Sequence, residues 1–119
     1  MYKNRITLIG NISQEPTVRF TKNNTPVCNF SIATNHIYYN ANGEKVVTPE
    51  YHSCSAWDKL VPRTETLRLG QKVEIEGRVK ENNWPKPCSN CGEEITQYRY
   101  EVQVSSVLYL EKKDENQGN

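Results

Sequence analysis

The sequence predicts an all-β fold in which five strands close into a small barrel, with one short helix between the third and fourth strands. Three observations lead there. Separate stretches alternate between two faces with the period of a strand. Clusters of Gly, Pro and Asn punctuate them. A single segment carries both a helix start signal and a helix stop signal.

The elements follow in order. Arg5 to Ile12 alternates Ile6, Leu8 and Gly10 against Thr7, Ile9 and Asn11, and Val18-Arg19-Phe20 continues extended. Gly10 marks a bend or bulge where a small barrel turns a corner. Lys22-Asn23-Asn24-Thr25-Pro26 is a turn cluster. Val27 to Asn35 is the second strand, from its flanks and its Val, Ile, Phe and Thr content. Asn40-Ala41-Asn42-Gly43 is a hairpin tip, because Asn-Gly favours positive φ, and Val46 to Trp57 returns from it. Pro62 to Leu69 is the helix, with Pro62 in its first turn and Gly70 just past its end. Lys72 to Lys80 is the fourth strand, Glu81 to Gln97 a long polar loop, and Tyr98 to Leu110 the last strand. This order is that of a five-stranded Greek-key OB barrel. Residues 1–110 form the domain, and 111–119 are a short polar extension expected to fray.

The chain has 119 residues, a single-domain length, and its 24% of charged residues argues against global disorder. A net charge of +1 does not by itself announce a polyanionic partner. No apolar run approaches the roughly 20 residues of a membrane span, and the N-terminus lacks a signal-peptide pattern. The expectation is a cytoplasmic chain whose four cysteines are reduced.

The parts of a catalytic site are missing. His36 and His52 have no partner constellation, no glycine loop is built to cradle phosphate, and no carboxylate pair has a metal-ligand rhythm. The aromatics point elsewhere. Tyr38 ends the second strand, Tyr51 and Trp57 lie on the third, and Trp84 follows the fourth, with Arg5, Lys45, Lys59, Arg78, Lys80 and Lys86 nearby. Flat side chains stack on exposed bases while cations track phosphates, which needs no particular base sequence. The competing reading is that these rings are core or cross-strand packing.

Six separated blocks carry a resemblance. They are Asn4-Arg5-Ile6-Thr7-Leu8-Ile9-Gly10-Asn11-Ile12, Glu15 to Phe20, Asn29 to Asn35, Glu50-Tyr51-His52, Trp57-Asp58-Lys59-Leu60, and Val73 to Arg78 with Trp84. In order and spacing they resemble the bacterial single-stranded-DNA-binding protein family. The resemblance implies base stacking on Tyr38, Tyr51, Trp57 and Trp84, and phosphate contacts from Arg5, Lys59 and Lys80. It places His52 at a subunit interface of a homotetramer. It implies a non-enzymatic, nucleoid-associated protein that coats single-stranded DNA in replication, recombination or repair. An adaptor of the primosome type, acting mainly through protein contacts, is the alternative.

Three departures qualify it. Glu81-Asn82-Asn83 stands where the family usually carries a basic run. The chain ends at Asp114-Glu115-Asn116-Gln117-Gly118-Asn119 without the family's acidic partner-recruiting tip, as expected of a tail-less phage, plasmid, mobile-element, competence or primosome-type member. An insertion, Pro85 to Gly92, holds Cys88-x-x-Cys91, which resembles one knuckle of a zinc ribbon. Zinc needs four ligands and no second Cys-x-x-Cys exists. The expectation is therefore no cofactor, with Cys88 and Cys91 as the one candidate for a structural zinc. Cys28 and Cys54, inside strand patterns, are expected to be small buried hydrophobes.

Overall fold

The computed structural model describes residues 1–81 and 99–110, together with the backbone of 84–87 and 94–97. Five long strands, β1 (Ile6–Phe20), β2 (Pro26–Tyr39), β3 (Lys45–Trp57), β4 (Lys72–Glu81) and β7 (Tyr100–Tyr109), close into a barrel in the order β1-β2-β3-β7-β4. All neighbours are antiparallel except β3 and β7, which run parallel through Cys54↔Val102 and Ser55↔Gln103. The closure is the expected five-stranded OB topology. Period-two alternation puts Ile12, Phe30, Ile32, Val73, Ile75, Val102 and Val104 inside, with Cys28 and Cys54 buried among them.

β1 changes partner midway, and this is the barrel corner. It pairs with β4 from Ile6 to Asn11 and with β2 from Asn11 to Phe20. Gly10 sits beside that switch but is not itself bulged, since it pairs in register with Val73. The register shifts come later, between Ile12 and Gln14 and between Gln14 and Thr17. Glycine is needed at position 10 for another reason: a Cβ there would overlap the backbone carbonyl of Ala33.

β2 and β3 form a longer hairpin than the sequence suggested, paired without a break from Val27↔Trp57 to Tyr39↔Lys45. Asn40 closes the tip, its Oδ1 accepting the backbone N–H of Asn42 and of Glu44 at 2.9 Å each. Gly43 supplies the expected positive φ of 77°.

The helix is shorter than expected. A 3-10 turn, Asp58–Leu60, leads into one helical turn, α1 (Val61–Thr64). The backbone after Thr64 finds partners other than the next helical turn: Leu67 N–H donates to the Thr64 carbonyl, and Gly70 N–H donates to Ile12 across the barrel end. Val61, Thr64 and Leu67 are buried there as a plug.

The expected polar loop after β4 holds a two-stranded ribbon, β5 (Trp84–Pro87) and β6 (Glu94–Gln97), in register from Trp84↔Gln97 to Pro87↔Glu94. Two prolines in four residues hid it, because proline argues against a central strand while leaving an edge strand open. Cys88, Cys91 and residues 111–119 lie outside the described residues.

Burial pushes the Cys54 thiol from 9.0 up to about 12, and the negative charge of Glu101 adds to the effect. The unfolded chain ionises this thiol above pH 9 whereas the folded chain keeps it neutral, so stability is whole below pH 9 and falls as pH climbs toward 12. The loss approaches about 1.4 kcal/mol per pH unit within that window. The urea midpoint is therefore expected to drop between about pH 8 and about pH 10 by more in the native chain than in Cys54→Ala. Equal drops would remove Cys54 as a source of alkaline lability.

Candidate nucleic-acid interface

The outer surface of β3 is built by alternation. Cys54 and Ala56 point into the core, so Tyr51, Ser53, Ser55 and Trp57 share the opposite face. Tyr51 is 67% exposed and Trp57 is half-buried. A hydrogen-bond relay fixes the indole: Trp57 Nε1 donates to Ser55 Oγ at 3.3 Å, and Ser55 Oγ donates to the Glu101 carboxylate at 2.8 Å. Lys80 Nζ, on the outward-facing series of β4, lies 5.9 Å from the Trp57 ring centroid, within cation–π range. A flat ring with a cation against it is therefore held in place before any ligand arrives.

A cleft of about 600 Å³ between the N-terminal segment, β4 and β7 is lined by Lys3, Arg5, Arg78, Glu76 and Gln103. Its cations can meet anionic oxygens, although Arg5 already pairs with Glu76. The N-terminal approach is anchored by Asn4, whose side chain bonds both backbone groups of Val79 at 2.8 and 2.9 Å. Lys59 is exposed in the 3-10 turn directly after Trp57. A smaller cleft of about 220 Å³ at the barrel mouth joins Tyr51, His52, Val79 and Tyr100. His52 is half-buried there, with its Nε2 3.0 Å from Thr34 Oγ1.

The structure thus brings Trp57 and Lys80 together, puts Tyr51 on the same face, and sets Arg5 beside Arg78 in one basic cleft. It does not bring Tyr38 to that face. Tyr38 pairs with Val46 and shares the parity of Ile32, Thr34 and His36, whereas Tyr51 pairs with Ala33 on the other side of the ribbon. The Tyr38 and His36 rings approach with centroids 5.8 Å apart, which confirms their common face. Trp84 opens β5, of which the backbone alone is described.

The sequence reading missed Ser55 and Glu101, which orient Trp57, and Tyr100, exposed at the start of β7. Counting back by twos from Trp57 would have found Ser55. Glu101 and Tyr100 needed the pairing of β7 with β3. Among the described residues no group of three or more His, Cys, Asp or Glu forms a metal site, and no helix is long and apolar enough to cross a membrane.

The profile of the Single-strand binding protein family matches residues 3–110. A single-stranded DNA-binding protein of Neisseria meningitidis is 29% identical over 119 residues, which are 99% of this chain and 66% of that protein. Single-stranded DNA-binding protein 2 of Listeria monocytogenes is 30% identical over 114 residues, 95% of this chain and 67% of that protein. The chain therefore spans about two thirds of the length of these relatives. In structure it is similar to the Plasmodium falciparum SSB solved in complex with ssDNA, with a TM-score of 0.76 at 24% identity, covering 93% of this chain and 97% of that one. It is also similar to the Thermus aquaticus single-stranded DNA binding protein, with a TM-score of 0.74 at 20% identity, covering 93% and 52%. With the profile spanning the whole barrel, the chain belongs to the single-strand binding protein family.

Proposed function

We propose that this chain binds single-stranded DNA without base preference, and that its act is binding, with no bond made or broken. The observation that carries the reading is the Trp57 ring, fixed by Ser55 and backed by Lys80, on the same face as exposed Tyr51. Every base has a π-face, so such rings accept any sequence, while Lys80, Arg5, Arg78 and Lys59 follow the phosphates. The resemblance adds Trp84 as a stacking residue, and also Tyr38, which lies on the opposite face of the β2–β3 ribbon from Tyr51. The relatives named above are single-stranded-DNA-binding proteins, and one similar fold was solved with its ssDNA. Cys88 and Cys91 supply two of the four ligands a zinc site needs, so the reading uses no metal.

Labelled oligo-dT is expected to bind and saturate at a fixed number of nucleotides per chain, with duplex DNA binding far more weakly. A chain that leaves oligo-dT free would instead favour the protein-contact adaptor. Lys80→Gln should flatten the salt dependence of log K by about 0.7, the value of one phosphate contact on a single strand. An unchanged slope would take Lys80 off the phosphate path.

We further propose a homo-oligomer, a tetramer by family resemblance, with His52 near a subunit contact. Ile9 and Leu108, both exposed, flank Glu74 in register on the outer face of β1, β4 and β7, and these two apolar side chains suit contact with a second copy. Light scattering at micromolar concentration should give a multiple of the 13.8 kDa chain. A monomer mass would contradict it.

A further inference from the structure

β2 and β3 continue from the barrel wall into a two-stranded ribbon, and the thirteen register pairs of their whole ladder run without a bulge. Parity therefore carries unbroken from the barrel wall to the tip. On the face of Tyr51 the series is Ala33↔Tyr51, Asn35↔Pro49, Ile37↔Val47 and Tyr39↔Lys45. Its apolar members are open to solvent: Tyr51 at 67%, Ile37 at 51%, Val47 at 48% and Tyr39 at 68%. Exposed apolar side chains in one contiguous line mark a surface that meets something. The line ends in an aromatic ring, Tyr39, whose register partner across the ladder is Lys45, and at its other end stands Trp57 with Lys80 against the ring.

Building on the function proposed above, we infer that Tyr39 is an additional base-stacking residue and that single-stranded DNA runs from Trp57 over Tyr51 along this ribbon face to Tyr39, with Lys45 taking a phosphate at the tip. Tyr38, one residue earlier, faces the other way and already has His36 against it. A strand lying on Tyr51 reaches Tyr39 without crossing the ribbon edge, and it cannot reach Tyr38 that way. Tyr39 and Tyr51 lie six ladder positions apart, about 20 Å along a strand, so one short oligonucleotide cannot cover both rings together with Trp57.

That span makes the inference testable by length. Oligo-dT of about 4 and about 16 nucleotides brackets the site size of a single OB fold. Tyr39→Ala is expected to weaken binding of the long oligonucleotide by at least about fivefold, the lower bound for one lost stacked base. It should leave the short one unchanged, and Tyr39→Phe should restore the loss because the ring is kept. Tyr39 is exposed near a turn, so the thermal midpoint serves as a check that the fold is intact. If Tyr51→Ala weakens the long oligonucleotide while Tyr39→Ala does not, the ribbon path is wrong and the single-stranded DNA reading stands. If Tyr38→Ala reproduces the loss and Tyr39→Ala does not, the strand takes the opposite face. If the native chain binds neither oligonucleotide, the function itself fails.

Discussion

Tyr51→Ala combined with Trp57→Ala is expected to weaken oligo-dT binding by about 2–6 kcal/mol, the sum of two lost stacked bases at about 1–3 kcal/mol each. Simple addition is justified because six strand positions, about 20 Å, separate the two rings, well past the range at which substitutions couple. The single substitutions to Phe separate ring from rim. Tyr51→Phe keeps a π-face and should lose little. Trp57→Phe keeps a π-face but gives up both the Nε1 donation to Ser55 and part of the surface under Lys80, so it should fall between native and alanine. Equilibrium titration decides the matter: a double variant that binds like the native chain would show that the β3 face is not where bases stack.

Gly10→Ala should cost about 1–3 kcal/mol of folding stability, the usual range for forcing extra volume into a packed core. The new methyl group would overlap the Ala33 carbonyl oxygen and crowd the Ile32 side chain. That carbonyl belongs to β2 where β1 begins to pair with it, so it cannot rotate aside without opening the barrel corner. Domains of this kind hold about 5–15 kcal/mol in all, so the loss is a large fraction of the total. Urea unfolding measures it directly. An unchanged midpoint would mean that β1 and β2 can part at this corner at little cost.

Much of this molecule was legible before its coordinates. The order of the five barrel strands and the place of the helical turn follow from alternation and turn chemistry, and Tyr51 and Trp57 share a face because they lie an even number of residues apart on one strand. What escaped the sequence depended on pairing between strands. Tyr38 and Tyr39 are adjacent, and which one faces the Tyr51 side is fixed by the ladder across the Asn40–Glu44 turn, where a slip of one residue would exchange them. Glu101 enters the Trp57 relay through the one parallel pairing of the barrel, a long-range contact that no local pattern announces. The helix was overcalled because Pro62 and Gly70 are fair boundary signals. The barrel end nevertheless takes one turn, and its neighbours claim the remaining backbone groups. The β5–β6 ribbon was masked by Pro85 and Pro87.

The chain has two tryptophans, so Trp84→Phe leaves Trp57 as the sole indole and makes its emission a reporter of one position. Oligo-dT added at low salt is expected to quench that emission, to level off at a fixed number of nucleotides per chain, and to release the quench as salt is raised. An emission that stays constant while labelled oligo-dT is plainly bound would contradict the assignment, because the DNA would then lie somewhere other than on Trp57.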